Sequence, residues 1–271
     1  MITPGQEFKN DIYVESWNDL QDKLFHDSWD AKLARYRSSY VYRGLDNVAY
    51  DLNTSLMRLG GTFEDLEQHL LRNFKKYARL DSADTSSIWN WMAIAQHYGL
   101  PTRLLDWTYS PYVALHFATA DTEKYDCDSV IWCVNYVKTN AYLPIKLKYI
   151  MMEEGSNIFT AEMLNSACQK RKDFDNLQKE PFVVFLEPPS LDQRIVNQYA
   201  LFSLMSDPKA SLNHWLQQYP GMYFRLIIPA NLKWEIRDKL DQANITERVL
   251  FPGLDGLSTW LRRHYSPKNN S

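Results

Sequence analysis

The stretch over residues 89–118, WNWMAIAQHYGLPTRLLDWTYSPYVALHFA, decides the fold. Apolar Met92, Ala95 and Tyr98 recur at spacing three, which predicts a helix over residues 89–98. Gly99 stands where a left-handed residue ends a helix, and Pro101 follows where no helix continues. Residues 102–107 read as extended. Ser110-Pro111 opens a second helix: the serine caps free amides, and the proline occupies the first turn, where its missing N–H costs nothing. Val113, Ala114, Phe117 and Ala118 supply that helix's apolar face. His97, Arg103, Asp106, Thr108 and Ser110 fall in or beside the loops, where rigid elements hold binding groups. Arg103 and Asp106 read first as a structural ion pair.

Upstream, residues 40–44 (YVYRG) form an aromatic strand ending in a turn. Alternation puts Arg43 opposite Tyr42, on the face of Val41. Residues 11–15 read as a short strand, and Ser16 caps a helix running from Trp17 to about Tyr36. A helix with a near-capping box at Thr62 runs to about Leu80, and residues 81–87 form a polar linker. Downstream, strands are expected at 129–137, 181–187, 200–205, 222–228 and 249–251. Helices are expected at 160–177, 207–218, 231–242 and 254–264. Strands mixed irregularly with helices, after a more helical first half, predict an α+β fold. The expected core is a mixed or antiparallel sheet with an N-terminal helical portion, in one domain spanning residues 1–271.

Composition narrows the function classes. The chain has 271 residues, a net charge of −3 and 14% aromatic residues. Near-neutrality removes any global electrostatic argument for nucleic-acid binding, and the aromatic excess fits a core or pocket of flat amphipathic side chains. Basic residues gather in the first third (Arg35, Arg37, Arg43, Arg58, Arg72, Lys75, Lys76, Arg79), a pattern usual for solvated helix faces. Cys127, Cys133 and Cys168 are odd in number and widely spaced, as expected for reduced thiols in a cytoplasmic protein, and no ligand spacing predicts a metal. The N-terminal MITPGQEFKN has no signal-peptide features, and no apolar run approaches the roughly 20 residues of a membrane span. No dinucleotide glycine motif, P-loop, G-x-S-x-G elbow or H-E-x-x-H occurs.

Tyr42-Arg43-Gly44, followed at a distance by QHYGLPTRLLDWTYSPYVALHFA and closed by FPGLDGL, resembles the FRG domain family, over a core of about residues 41–261. Residues 140–180 then read as a family-specific insertion. Arg194 and Gln198, in RIVNQYALF, also look like an FRG motif. More distantly, FRG domains resemble ADP-ribosyltransferases, which implies an ADP-ribosyltransferase-like fold and NAD as cofactor. The order Arg43, Thr108/Ser110, Glu247 is similar to the Arg, Ser/Thr, Glu triad of one such class. The resemblance implies Arg43 and Glu247 as catalytic residues and Arg43, Gly44, His97, Thr108, Ser110 and Gln198 as cofactor-binding residues. The chemistry suits these types. An Arg fork matches pyrophosphate, and a carboxylate stabilises an oxocarbenium-like centre. One departure stands out: Arg248 separates Glu247 from the Val-Leu pair, and a one-residue shift on a strand reverses the face. His97 alternatively caps its loop, Gln198 pairs with backbone, and Glu247 is a surface ion-pair residue. The implied role is a bacterial toxin or anti-phage defence effector, modifying RNA, DNA or protein and held by an antitoxin. The rival expectation is a non-catalytic module binding a nucleotide, nucleic acid or partner. A nuclease is a third reading, weakened by the absence of a metal-binding carboxylate cluster.

Overall fold

A computed structural model describes residues 8–78, 87–190 and 192–268. The expected linker at 81–87 lies outside these residues except for Ser87, as do the end of the helix expected to reach Leu80 and the last residues of the polar tail. The fold is α+β. Its strands are β1 (Asp11–Tyr13), β2 (Trp29–Asp30), β3 (Arg35–Tyr36), β4 (Tyr40–Leu45), β5 (Leu104–Thr108), β6 (Ser129–Asn135), β7 (Phe159–Thr160), β8 (Val183–Glu187), β9 (Ala200–Met205) and β10 (Tyr223–Ile228). Its first helices are α1 (Trp17–Leu24), α2 (Phe63–Tyr77), α3 (Ile88–His97) and α4 (Pro111–Ala118). They are followed by α5 (Tyr136–Thr139), α6 (Ile145–Glu153), α7 (Ala161–Ala167), α8 (Arg171–Asp175), α9 (Gln193–Asn197), α10 (Leu212–Gln217), α11 (Lys233–Gln242), α12 (Glu247–Leu250) and α13 (Leu254–His264).

The central stretch folds as its residues dictate. Gly99 takes φ +80° after α3. Ser110 Oγ accepts from the Val113 amide at 3.3 Å, with Pro111 in the first turn of α4. Elsewhere local chemistry overrides the expected elements. The first helix stops at Leu24, because Asp27 and Ala34 adopt positive φ and the Asp30 carboxylate accepts from the amides of Lys32 and Leu33. The hairpin β2–β3 follows instead. Thr62 makes no side-chain cap. The helix expected over 160–177 breaks at Cys168, whose extended carbonyl accepts from Trp89 Nε1 at 2.8 Å. The helix expected from residue 207 begins only at Leu212, since Asp207 first makes a turn to Lys209 and Ala210. The strand expected at 249–251 does not form: residues 247–250 are the short helix α12.

Eight strands form one mixed sheet in the order β1-β10-β6-β4-β5-β9-β8-β7. The β1–β10 and β7–β8 pairs are parallel and the others antiparallel. The informative pairing is at the centre. β4 pairs with β6 along its whole length, from Tyr40↔Asn135 to Leu45↔Val130, and β5 pairs likewise with β9, from Leu104↔Leu204 to Thr108↔Ala200. Between β4 and β5 only Tyr42↔Thr108 is paired. The sheet is therefore two half-sheets joined at one rung.

The core follows that division. On one face a single apolar cluster backs both halves, with Val41, Val130 and Trp132 from one and Leu105, Trp107 and Phe185 from the other. On the opposite face the packing splits in two. One cluster gathers Leu20, Leu24, Tyr42, Ala114, Leu115, Ile131, Ile236 and Leu240 under α1, α4 and α11. The other gathers Trp89, Met92, Leu104, Leu164, Val184 and Phe202 under α3 and α7. Burial of these large side chains supplies the main drive for folding, at roughly 25 cal/mol per Å² of apolar surface. Among the described residues no helix is long and apolar enough to cross a membrane.

Candidate functional site

Where β4 and β5 part, a cleft of about 350 Å³ opens, within the usual range of small-molecule sites. Its β4 wall carries Arg43, Gly44, Leu45 and Asp46, and its β5 wall Asp106, Trp107 and Thr108. Gln96 comes from the last turn of α3, Phe117 from α4, and Arg194 and Gln198 from α9 and its C-terminal end.

Arg43 spans the gap. Its Nη1 donates to the Asp106 carbonyl at 2.6 Å and lies 3.9 Å from the Asp106 carboxylate. Its buried Nε has no partner among the described residues. Burial pulls the guanidinium below its ordinary pKa, and Asp106 opposes that shift. A desolvated cation with an unused donor is suited to an anion. The exposed Arg194 side chain stacks on Phe251, its guanidinium carbon 5.0 Å from the ring centroid. Asp46 is paired with Lys124 at 3.0 Å.

Gly44 has a structural task as well as a place in the lining. A β-carbon there would stand 1.9 Å from the Ala114 carbonyl oxygen, so only glycine lets α4 lie this close to the strand. Thr108 is buried and fastens three segments: its Oγ1 donates to the Gln198 carbonyl at 2.7 Å and accepts from the Ser110 amide at 3.0 Å. Gln198 donates from Nε2 to the Leu250 carbonyl at 3.0 Å, the backbone pairing weighed from sequence. Between Gln198 and Ala200, Tyr199 holds φ +47°, an unusual conformation for a bulky residue.

The structure thus brings Arg43, Gly44, Thr108 and Gln198 to one cleft and keeps three other candidates out of its lining. Ser110 is spent on capping α4. His97 Nε2 sits 2.8 Å from the Asp192 carboxylate, a contact that ties α3 to the start of α9. Glu247 lies at the start of α12, only 5% exposed, and both its oxygens accept from Arg263, at 2.6 and 2.7 Å. Burial alone would raise this carboxyl, but the Arg263 hydrogen bonds overcome it and hold the pKa at about 2. The strand-face argument raised by Arg248 lapses, because residues 247–250 are helical. The expected Arg103–Asp106 pair does not form. Arg103 turns into the core, to Glu67 at 2.6 Å and Asp175 at 2.6 Å, and Asp106 turns to the cleft. Residues three apart on an extended chain face opposite sides. Sequence reasoning missed the cleft roles of Gln96, Asp46, Asp106 and Phe117. Gln96 and Asp106 lay inside the quoted stretch, and their spacing gave no sign that they meet.

Beneath α4, Arg263 also grips Asp241, at 2.7 and 2.8 Å, and Arg237 Nη1 donates to His116 Nδ1 at 2.8 Å. A guanidinium only donates, so Nδ1 accepts and the imidazole is neutral with its proton on Nε2. Burial, then the Arg237 charge, pushes the His116 pKa down to about 3 from 6.5. Below pH 6.5 the unfolded chain therefore binds a proton at residue 116 that the folded chain refuses, and stability falls with pH. Glu247 adds a second loss from 4.5 down to about 2. Urea unfolding is expected to show about 1.4 kcal/mol less stability from His116 at about pH 5.5 than at about pH 7.5. His116→Gln, which keeps an acceptor for Arg237, should remove that part of the slope. An unchanged slope in the variant would refute the assignment.

Compared with known proteins, residues 38–127 match the family described as the FRG domain. No curated protein and no solved structure matches the chain.

Proposed function

We propose that this chain, whose residues 38–127 match the FRG domain family, is an ADP-ribosyltransferase that binds NAD in the Arg43 cleft. The supporting observation is convergence: Arg43, Thr108 and Gln198, far apart in sequence, line one cleft opened where two strands part. Arg43 and Arg194 supply two guanidinium groups for pyrophosphate oxygens. Thr108 and Gln198, themselves hydrogen-bonded, fix the wall against which a nicotinamide or adenine ring would lie. An ADP-ribosyltransferase-like fold fits a central sheet that divides between its β4 and β5 strands. On this reading the acceptor is RNA, DNA or protein, the setting is cytoplasmic, and the role is that of a toxin or anti-phage effector restrained by an antitoxin.

Calorimetric titration with NAD, paired with chromatographic measurement of nicotinamide release, tests the reading. Arg43→Ala is expected to weaken NAD binding about ten- to a hundred-fold, the loss of one charge-assisted contact of about 1.5–3 kcal/mol. A second reading, a non-catalytic nucleotide- or partner-binding module, is favoured by one observation: Arg263 fully engages the Glu247 carboxylate away from the cleft lining. NAD binding without nicotinamide release in the presence of nucleic-acid and protein acceptors would select that second reading. Absence of NAD binding would reject NAD for both.

A further inference from the structure

We infer that Asp106 is the acidic group of this cleft's chemistry, with Gln96 and Thr102 as its positioning residues; the inference rests on the NAD-cleaving reading above. Asp106 is the single exposed position of β5, whose other four residues are buried. Leu105 and Trp107, on either side, enter the apolar layer behind the sheet, so alternation turns Asp106 to the opposite face. Its side chain is 58% exposed and lines the cleft, with a carboxylate oxygen 3.9 Å from Arg43 Nη1.

That carboxylate is held by a chain of oriented hydrogen bonds. Leu104 N–H donates to Thr102 Oγ1 at 3.1 Å, which engages one lone pair of a buried hydroxyl. The Thr102 hydroxyl then donates to Gln96 Oε1 at 2.6 Å. The Gln96 amide is thereby fixed with its NH₂ forward, and it donates to Asp106 Oδ2 at 2.9 Å. No other arrangement of the amide satisfies both contacts, because an ionised carboxylate only accepts and so requires the NH₂ end, which leaves the carbonyl end for the threonine proton. An exposed surface carboxylate needs no such support. A carboxylate that must meet a ribose at fixed distance does.

The step balances with the groups named. The bond between the ribose C1′ and the nicotinamide nitrogen breaks, and its electron pair leaves with the nicotinamide, which becomes neutral. Asp106 counters the positive charge that develops at C1′. The acceptor's oxygen or nitrogen bonds to C1′, and its proton passes to the Asp106 carboxylate and on to solvent. Glu247 takes no part, since Arg263 occupies both of its oxygens.

The test measures NAD affinity and nicotinamide release on the full chain and on Asp106→Asn, Gln96→Leu and Thr102→Ser. Asp106→Asn is expected to bind NAD within about threefold of the unaltered chain and to lower kcat by at least about a hundredfold. Gln96→Leu should lower kcat about tenfold with KM for NAD little changed, and Thr102→Ser, which keeps the hydroxyl, should retain activity. Release by Asp106→Asn within about threefold of the unaltered chain would overturn the assignment while leaving the transferase reading intact. Equal loss of affinity and turnover in Gln96→Leu would mark that residue as structural and overturn its positioning role. An unaltered chain that releases no nicotinamide would remove the transferase reading, and this inference with it.

Discussion

Gly44→Ala is expected to destabilise the protein by about 3 kcal/mol or more, at the upper end of what overpacking costs. The added methyl would meet the Ala114 carbonyl oxygen at 1.9 Å and the Ala118 amide nitrogen at 2.7 Å. Both are backbone atoms of α4, so no side chain can rotate away. Either the helix lifts from β4 or the strand leaves its ladder with β6. Lifting α4 loosens the cluster of Ala114, Leu115 and Ala118 against Tyr42 and Ile131. It also carries Phe117 away from the cleft it lines. Urea and thermal unfolding check the expectation, and ligand binding should fall with stability. A variant within about 0.5 kcal/mol of the unaltered chain would show that helix and strand do not approach this closely.

Arg103→Met is the second large effect. Arg103 is 5% exposed and Glu67 3%, and they meet through Nε and Nη2 at 2.6 to 2.9 Å. Arg103 Nη1 reaches Asp175 as well, and Arg171 gives Glu67 a further partner. One guanidinium thus ties the strand-leading segment at residue 103 to α2 and α8. Methionine fills much of the volume and leaves Glu67 and Asp175 short of a cation. Breaking a buried pair by removing one partner costs about 3–5 kcal/mol, most of it the penalty of the stranded charge. The double variant Arg103→Met/Glu67→Gln should recover part of that loss. A double-mutant cycle with no coupling would refute the account.

These two cases mark what was legible in the sequence. Gly99, Ser110 and Pro111 were readable because each acts through its own backbone conformation or its nearest amides, and the structure agrees at all three. The sheet strands at 40–45, 183–187, 200–205 and 223–228 were readable from β-branched and aromatic runs. Of the order Arg43, Thr108/Ser110, Glu247, only Arg43 and Thr108 line the cleft, and Gln198 joins them there. Partnership across the fold was not readable. Arg103 and Asp106 sit three apart in sequence, yet one answers to Glu67 and the other to Gln96, and only the packing of α2 and α3 decides this. Glu247 looked like a strand residue ahead of a Val-Leu pair. The Arg263 guanidinium, 16 residues on, claims it instead within a short helix. The hairpin β2–β3 was missed because left-handed residues at Asp27 and Ala34 interrupt an apolar spacing that otherwise continues.

The lone rung between Tyr42 and Thr108 has a bearing on how fit could be tuned. Two panels hung on one pin keep their spread only if something behind them sets the angle, and here that support is the shared oily layer containing Leu105 and Trp132. Neither of those side chains lines the opening. Altering their bulk would nonetheless widen or narrow it, so selectivity for a bound molecule can drift through residues that never touch it.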